Sequence, residues 1–167
     1  DAGRMNRVPH HVHQPLHATT MYSPEFPHGD RGGNSFKLEK HGEIDELHAL
    51  WDSVVEAYAG DWKQPLNEAD LTAVETASKD IRTTFPRGRL FLTSQDPHQW
   101  AKESHEASAE FVYKNIQEGA WPAPQYIKIG QMLAKERLAY GGYRLADTLM
   151  DLWGKDAEAE EVAKFLW

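Results

Sequence analysis

The sequence predicts an all-α protein built as a single multi-helix domain. Apolar residues recur at helical spacing through the middle of the chain, and capping residues, prolines and glycines mark where the helices start and stop. The only strand pattern is a short hairpin near residues 35–38. A chain of 167 residues with six Trp, six Tyr and six Phe can bury one proper core.

The first predicted helix has the clearest apolar period. Its apolar positions fall at i, i+3, i+4, i+7, i+8 and i+11, namely Leu47, Leu50, Trp51, Val54, Val55 and Tyr58. The pattern predicts an amphipathic helix that buries Trp51 and continues until Gly60 and Pro65 end it.

The second predicted helix begins after Asn67, a favourable N-cap residue. Pro86 and Gly88 are expected to stop it. Its apolar side is predicted to consist of Leu71, Val74, Ile81 and Phe85.

Two further helices follow. Asp96 and Pro97 form a start signal, a cap followed by proline at the first helical position. The last and longest helix contains Gly141 and Gly142. Glycine costs roughly 1 kcal/mol inside a helix, so this pair predicts close helix packing.

A candidate metal site emerges from residue spacing. His48 and Asp52 are four residues apart on the first predicted helix, so both side chains project from one face. His17 could add a third ligand from the preceding segment. Two histidines and one aspartate, with a position left for water, match the ligand count of a catalytic zinc site. The alternative is a polar helix edge with solvated histidines.

Five sequence blocks in order carry a family resemblance. They read HQPLH at 13–17, GDRGGN at 29–34, LHALWD at 47–52, WAKESHEASAEFVY at 100–113 and LAYGGYRLADTLMDLW at 138–153. Together they resemble the zinc-dependent P1/S1 nuclease family, relatives of bacterial zinc phospholipase C. The resemblance covers roughly residues 12–153 and implies that family's all-α fold.

The resemblance implies a phosphodiester hydrolase that acts on single-stranded DNA or RNA or on 3′-nucleotides. It implies zinc bound by His17, His48 and Asp52, and a water molecule activated by metal as the nucleophile, so no side-chain nucleophile is expected. It also favours substrate contact by Gly33 and Asn34. The alternative for these two residues is a tight turn with positive φ, which glycine allows.

The chain also departs from the family. The family uses three zinc ions, with a metal-bridging Asp and a His at the positions that hold His11 and Arg7 here. Arg has no lone pair for a metal, and a histidine could bind one zinc but not bridge two as a carboxylate does. One zinc site therefore keeps its protein ligands, with His11 as a further candidate. We expect these 167 residues alone to be inactive or weakly active.

Three explanations for the departures stay open. The chain resembles the C-terminal half to two-thirds of such an enzyme. The first explanation is a piece of a longer protein, and the second is an N-terminal segment of different origin. The third is a degenerate relative of the family. In the last case the alternative function is a non-catalytic helical scaffold or assembly subunit that retains at most one zinc.

Composition and domain organisation complete the expectations. The net charge of −8 disfavours a basic surface for nonspecific nucleic-acid binding, and zero cysteines exclude a disulfide framework. No apolar run is long enough to span a membrane. The resemblance implies a secreted or lumenal protein. We divide the chain into a divergent segment 1–11, the nuclease-like domain 12–153 and an acidic helical tail 154–167, whose Phe165, Leu166 and Trp167 dock on the domain or meet a protein partner.

Overall fold

The computed structural model describes residues 11–58, 65–92 and 94–153. In these ranges the protein is mainly helical with one short hairpin, which confirms the all-α prediction. The elements are β1 (Lys37–His41), β2 (Ile44–Glu46), α1 (Leu47–Asp52), α2 (Glu68–Thr84), α3 (Pro97–Ala107) and α4 (Pro124–Trp153). Short 3-10 turns span Pro15–Ala18 and Arg87–Arg89, and a π-helical turn spans Ser108–Val112.

The hairpin begins inside the predicted stretch, residues 35–38, but extends beyond it to Glu46. Its strands pair antiparallel, with Lys37 opposite Glu46 and His41 opposite Ile44. The Lys37 ammonium lies 2.8 Å from a Glu46 carboxylate oxygen. Because β2 runs directly into α1, the hairpin fixes where the first helix begins.

Helix α1 is shorter than predicted. The periodicity extended it to Tyr58, but it ends at Asp52, so that prediction was wrong. The Val54 N–H donates to the Trp51 carbonyl and the Val55 N–H donates to the Leu50 carbonyl, at 3.2 and 2.9 Å. These two bonds form a Schellman C-cap, which usually places glycine where Val54 stands.

The backbone confirms this early end. Val54, Val55 and Glu56 all have φ between 53 and 58°, in the left-handed region that side chains other than glycine rarely occupy. Val55 is fully buried beside Leu50, so its apolar contact is made from a turn instead of a helix. The predicted stop at Gly60 lies outside the described residues.

Helix α2 starts and stops as predicted but buries less than expected. Asn67 caps it, accepting from the Asp70 N–H while Asp70 accepts from the Asn67 N–H. No residue of the helix is buried, and Leu71 and Val74 of its predicted apolar side are 51% and 44% exposed. Val74 and Ile81 of that side line an open, mainly apolar cavity, together with Leu138 and Tyr143 of the last helix.

Helix α3 begins as the Asp96–Pro97 signal predicts, with the Asp96 carboxylate accepting from the His98 N–H at 2.9 Å. Helix α4 lies across the domain, and two of its glycines allow close packing. A Cβ at Gly130 would contact Val55 at 3.3 Å, and one at Gly141 would lie 3.4 Å from the His13 ring. The close neighbour at Gly141 is therefore the ring of a turn residue and not a second helix, and Gly142 has open space around it, so the predicted helix packing is not what this pair provides.

The core forms between the hairpin, α1, the π-helical turn and α4. Its buried members are Leu16, Phe36, Leu38, Leu47, Leu50, Trp51, Val55, Val112, Tyr126 and Ala134. Within the described ranges, none of the helices combines the length and apolar character needed to cross a membrane. The predicted acidic tail and nearly all of the divergent first segment lie outside these ranges.

Candidate metal centre

Helix α1 presents two of the predicted ligands from a single turn. Leu47, Leu50 and Trp51 are at most 2% exposed and fix one face of the helix in the core. The opposite face carries His48 and Asp52, whose Nε2 and Oδ2 atoms lie 3.4 Å apart. The burial of one face therefore determines where these two polar side chains point.

The third predicted ligand comes from the 3-10 turn. Pro15 and Leu16 are buried and fix this turn against the core, and Gln14 caps it by accepting from the Leu16 N–H. His17, the next residue, projects toward α1, so that its Nε2 lies 3.4 Å from Oδ1 of Asp52.

These three side chains form a compact donor set. One donor atom from each of His17, His48 and Asp52 lies within 4.8 Å of the others. The two imidazoles stack with ring centroids 5.1 Å apart. Within the residues that the structure describes, no other group of His, Asp or Glu approaches this way.

Hydrogen bonds to both imidazoles suit metal binding. Nδ1 of His48 lies 2.6 Å from the carbonyl oxygen of Gly32, and Nδ1 of His17 lies 2.9 Å from that of His11. A carbonyl oxygen only accepts, so each Nδ1 must carry the proton and donate it. In a neutral imidazole this leaves the Nε2 lone pair free for a metal, the arrangement usual for zinc-binding histidines.

Asp52 is also oriented by a neighbour. The Gln14 side-chain amide donates to Oδ1 of Asp52 at 2.9 Å. The Asp52 side chain is 51% exposed, against 24% for His17 and 18% for His48. The centre therefore opens to solvent on its carboxylate side, and its nitrogen and oxygen donors fit zinc.

A buried aspartate organises the glycine loop that supports His48. The Asp30 carboxylate is fully buried and accepts from the backbone N–H groups of Met21, Gly32 and Gly33 at 2.9 to 3.1 Å. The Tyr113 hydroxyl also donates to it, and burial raises the pKa of Tyr113 well above its usual range, with the bond to Asp30 adding to the shift. This loop presents the Gly32 carbonyl to His48.

Comparisons with known proteins show which family this chain belongs to. The model of the S1/P1 Nuclease family matches residues 10–154. The chain belongs to the S1/P1 nuclease family. It is 30% identical over 149 residues to Endonuclease 2 of Arabidopsis thaliana, covering 86% of this chain and 48% of that protein. It is 28% identical over 144 residues to Endonuclease 3 of the same plant, covering 83% and 46%. The chain thus spans about half the length of these relatives.

Other residues singled out through the S1/P1 nuclease resemblance take different places. Gly33 is buried, and its carbonyl accepts from the His48 N–H at 3.3 Å. The Asn34 amide donates to the Arg31 carbonyl at 2.8 Å. Both residues therefore have structural contacts in the glycine loop, and their substrate contact stays a prediction.

His11 lies beside the centre without joining the donor set. Its ring stacks on that of His17 with centroids 5.4 Å apart, and its carbonyl accepts from His17. Its role as a ligand stays a prediction. Arg7, at the other family ligand position, lies outside the described residues.

Sequence reasoning did not identify several side chains that bond to the segments carrying the donor set. Gln14 lies inside the HQPLH block and Arg144 inside the last block, but spacing indicates no role for either, and Arg137 lies just before that last block. The bonds made by these residues span up to 131 positions. Spacing along the chain gives no signal for contacts of that range.

Proposed function

We propose that this chain supplies one zinc site of a phosphodiester hydrolase of the S1/P1 nuclease type. The proposed substrates are single-stranded DNA or RNA, or 3′-nucleotides, whose bases are accessible for stacking. The observation that carries the proposal is the donor set of His17, His48 and Asp52, with each Nδ1 bonded to a backbone carbonyl. Each imidazole therefore directs an Nε2 lone pair toward the donor set. This arrangement favours a metal site over the alternative of solvated histidines on a polar helix edge.

The roles of the residues follow from their contacts. His17 and His48 would hold zinc through Nε2, and Asp52 through its carboxylate. When bound, the metal supplies Lewis-acid stabilisation of a phosphoryl oxygen and of the leaving group. Gln14 keeps one Asp52 oxygen in a fixed direction through its 2.9 Å bond.

A cavity next to the donor set offers space for part of a substrate. It has a volume of about 360 Å³ and is lined by His17, Asp52, Trp51 and Leu138 among others. Its lining is predominantly apolar, so a base or sugar fits this cavity better than a phosphate group does. A substrate phosphate would therefore approach from the exposed side of Asp52.

The metal cluster is proposed to be incomplete in this chain. The sequence holds Arg7 and His11 where the family resemblance expects two metal ligands, and an arginine has no lone pair to offer. We therefore expect one zinc per chain and weak or absent cleavage by these residues alone. By the same resemblance we propose a secreted or lumenal location, and a protein partner for the tail that ends in Phe165, Leu166 and Trp167.

The first experiment is elemental analysis of zinc in protein purified without a histidine tag. We expect one zinc per chain, lost in His48→Ala and in Asp52→Ala. The matched control is His28→Ala, which removes an exposed histidine of a neighbouring loop. Zinc content unchanged in both site variants would overturn the proposal, and two or three zinc ions per chain would contradict the incomplete cluster.

A cleavage assay then separates the two functional hypotheses. A single-stranded oligonucleotide cut faster than its duplex, with cutting lost in EDTA and in His48→Ala, supports the hydrolase. One bound zinc without cleavage favours the alternative of a non-catalytic helical scaffold. The absence of cleavage should persist when the remaining part of the family domain is added to the assay. The two outcomes require the same protein preparations, so they are directly comparable.

A further inference from the structure

The predicted ligands reach the centre from two separate segments. His48 and Asp52 share one helical turn whose other face is buried, so their spacing is fixed by α1 itself. His17 follows a short 3-10 turn, and its distance from the other two depends on what holds the residues before it. The question is which contacts keep this segment in place.

Two arginines of α4 hold the segment at His13. Nε of Arg137 donates to the His13 carbonyl at 3.3 Å, and Nη1 of Arg144 donates to Nε2 of His13 at 3.0 Å. The Ser104 hydroxyl donates to the carbonyl of Val12, the residue before. His13 is only 2% exposed, so these bonds are sheltered from water.

One carboxylate fixes both arginines. Glu103 accepts from Arg144 at 2.7 and 2.9 Å, one bond to each oxygen, and from Arg137 at 3.3 Å. Arg144 is fully buried and Arg137 is 7% exposed. The guanidinium of Arg144 also lies over the Trp100 ring, 5.3 Å from its centroid. Bidentate pairing of this kind fixes the direction of an arginine as well as its position.

Packing of the His13 ring also holds this segment in place. The His13 ring lies 5.5 Å from that of Trp100, centroid to centroid, and Gly141 leaves room for it on α4. A backbone hydrogen bond links this segment to His17, because the His17 N–H donates to the Gln14 carbonyl at 3.1 Å. A displacement at His13 therefore passes within four residues to His17.

We propose that Arg137 and Arg144, held by Glu103, are positioning residues for the metal centre that act by fixing His13 and thereby His17. The inference rests on the proposed function, because it concerns the same zinc site. It assigns a role to Glu103 and Arg144, which lie in the sequence blocks 100–113 and 138–153. Neither block contributes a ligand to the donor set. In this role α3 and α4 set the distance between the His17 imidazole and α1.

The test uses Arg137→Met, because this change leaves the Glu103–Arg144 pair intact and avoids two unpaired guanidinium groups. We expect zinc affinity, measured by competition with a chromophoric chelator, to fall by up to about tenfold, the lower end for losing a direct hydrogen bond to a metal ligand, because Arg137 acts on His17 only through His13. The matched control is Lys135→Met, on the same helix, which removes a 2.8 Å ion pair to Asp80. The control should lose stability without losing zinc affinity.

A second variant separates positioning from general stability. Arg137→Lys keeps the charge but not the planar donors that reach both His13 and Ser104. We expect it to recover thermal stability while zinc affinity stays low. Full recovery of zinc affinity by lysine, or affinity unchanged in Arg137→Met, would overturn the inference.

A measurement without metal keeps this inference distinct from the proposed function. The stacked rings of His17 and His48 should give a nuclear Overhauser contact in the metal-free wild-type protein. We expect this contact to be lost in Arg137→Met and retained in Lys135→Met. If the wild-type protein binds no zinc, the proposed function fails, yet the contact still decides whether Arg137 positions His17. Retention of the contact in Arg137→Met would contradict the positioning role of Arg137.

Discussion

Nδ1 of His48 donates to the carbonyl oxygen of Gly32 across 2.6 Å, and this bond connects the glycine loop to the donor set. Gly32 has φ of 62° and packs against the turn that carries the other imidazole. One peptide unit of the loop therefore influences both histidines, through a hydrogen bond to His48 and through contact with Leu16 next to His17.

The first prediction follows from that contact. In Gly32→Ala the new Cβ would lie 2.6 Å from the Leu16 carbonyl oxygen, so the loop or the turn must move. We expect the free energy of unfolding to fall by more than about 2 kcal/mol, because the clash adds to the left-handed penalty of an alanine, and zinc affinity to fall with it. Chemical denaturation and chelator competition measure the two effects.

Gly42→Ala is the control for this substitution. Gly42 has nearly the same φ, 60°, but nothing lies within 4 Å of its would-be Cβ. It should lose only the conformational term, roughly 1 kcal/mol, and bind zinc normally. Equal behaviour of the two variants would show that the contact at Leu16 has no consequence for the centre.

The second prediction concerns the amide that orients Asp52. Gln14→Leu removes the 2.9 Å bond to Oδ1 of Asp52 and also the cap bond from the Leu16 N–H, and we expect zinc affinity to fall about tenfold through these two contacts together. Gln95→Leu is the matched control, because Gln95 makes the same kind of bond, 3.1 Å, to Asp147 on another surface. A zinc affinity that changes equally in both variants would contradict a specific role for Gln14.

How much of the centre the sequence could predict depends on the type of contact. The i, i+4 spacing paired His48 with Asp52 and left His17 as a candidate third ligand, and the family resemblance implied all three. The partners of the imidazoles could not be predicted, because they are backbone carbonyls of Gly32 and His11 and any residue type supplies a carbonyl. The orientation of the donors is therefore a property of the fold that residue identities do not encode locally.

The length of α1 shows a second limit. Its apolar period continued to Tyr58 because Val55 is buried, but the same burial is reached through a left-handed turn. Val54 occupies the position where a Schellman cap usually has glycine, so the usual stop signal is absent. Periodicity reports which residues are buried and does not report the backbone that buries them.

The third prediction tests that left-handed turn. Glu56 is exposed and has φ of 58°, so Glu56→Gly should relieve strain. Set against the greater freedom that glycine gives the unfolded chain, we expect a net gain of about 0.5 kcal/mol. Glu75→Gly, in the exposed interior of α2, should instead cost about 1 kcal/mol. Thermal unfolding distinguishes the signs, and a loss in both variants would mean that the turn at Glu56 is unstrained.

The fourth prediction concerns acid stability and the carboxylate that fixes the two arginines. Burial by itself would raise the pKa of Glu103, but hydrogen bonding and the charges of Arg144 and Arg137 outweigh it, so the pKa lies below its usual value. The folded protein therefore holds this proton less tightly than the unfolded chain does. The stabilisation is present above the unfolded pKa of about 4.3 and is lost as pH falls through the lower folded pKa.

Glu103→Gln should remove this dependence on pH. At neutral pH we expect it to lower the free energy of unfolding by about 3 kcal/mol, because two buried guanidinium groups lose their ionic partner. Below the unfolded pKa of about 4.3 the difference from the wild-type protein should shrink, because the unfolded wild-type chain then takes up a proton that the folded protein, with its lowered Glu103 pKa, binds less tightly. Glu106→Gln on the same helix removes only an exposed 3.7 Å pair with Lys102, so it should change stability by less than about 1 kcal/mol at every pH. Urea unfolding from pH 3 to 7 measures both variants, and a Glu103→Gln deficit that stays constant across this range would show that the ionised carboxylate is not what fixes the arginines.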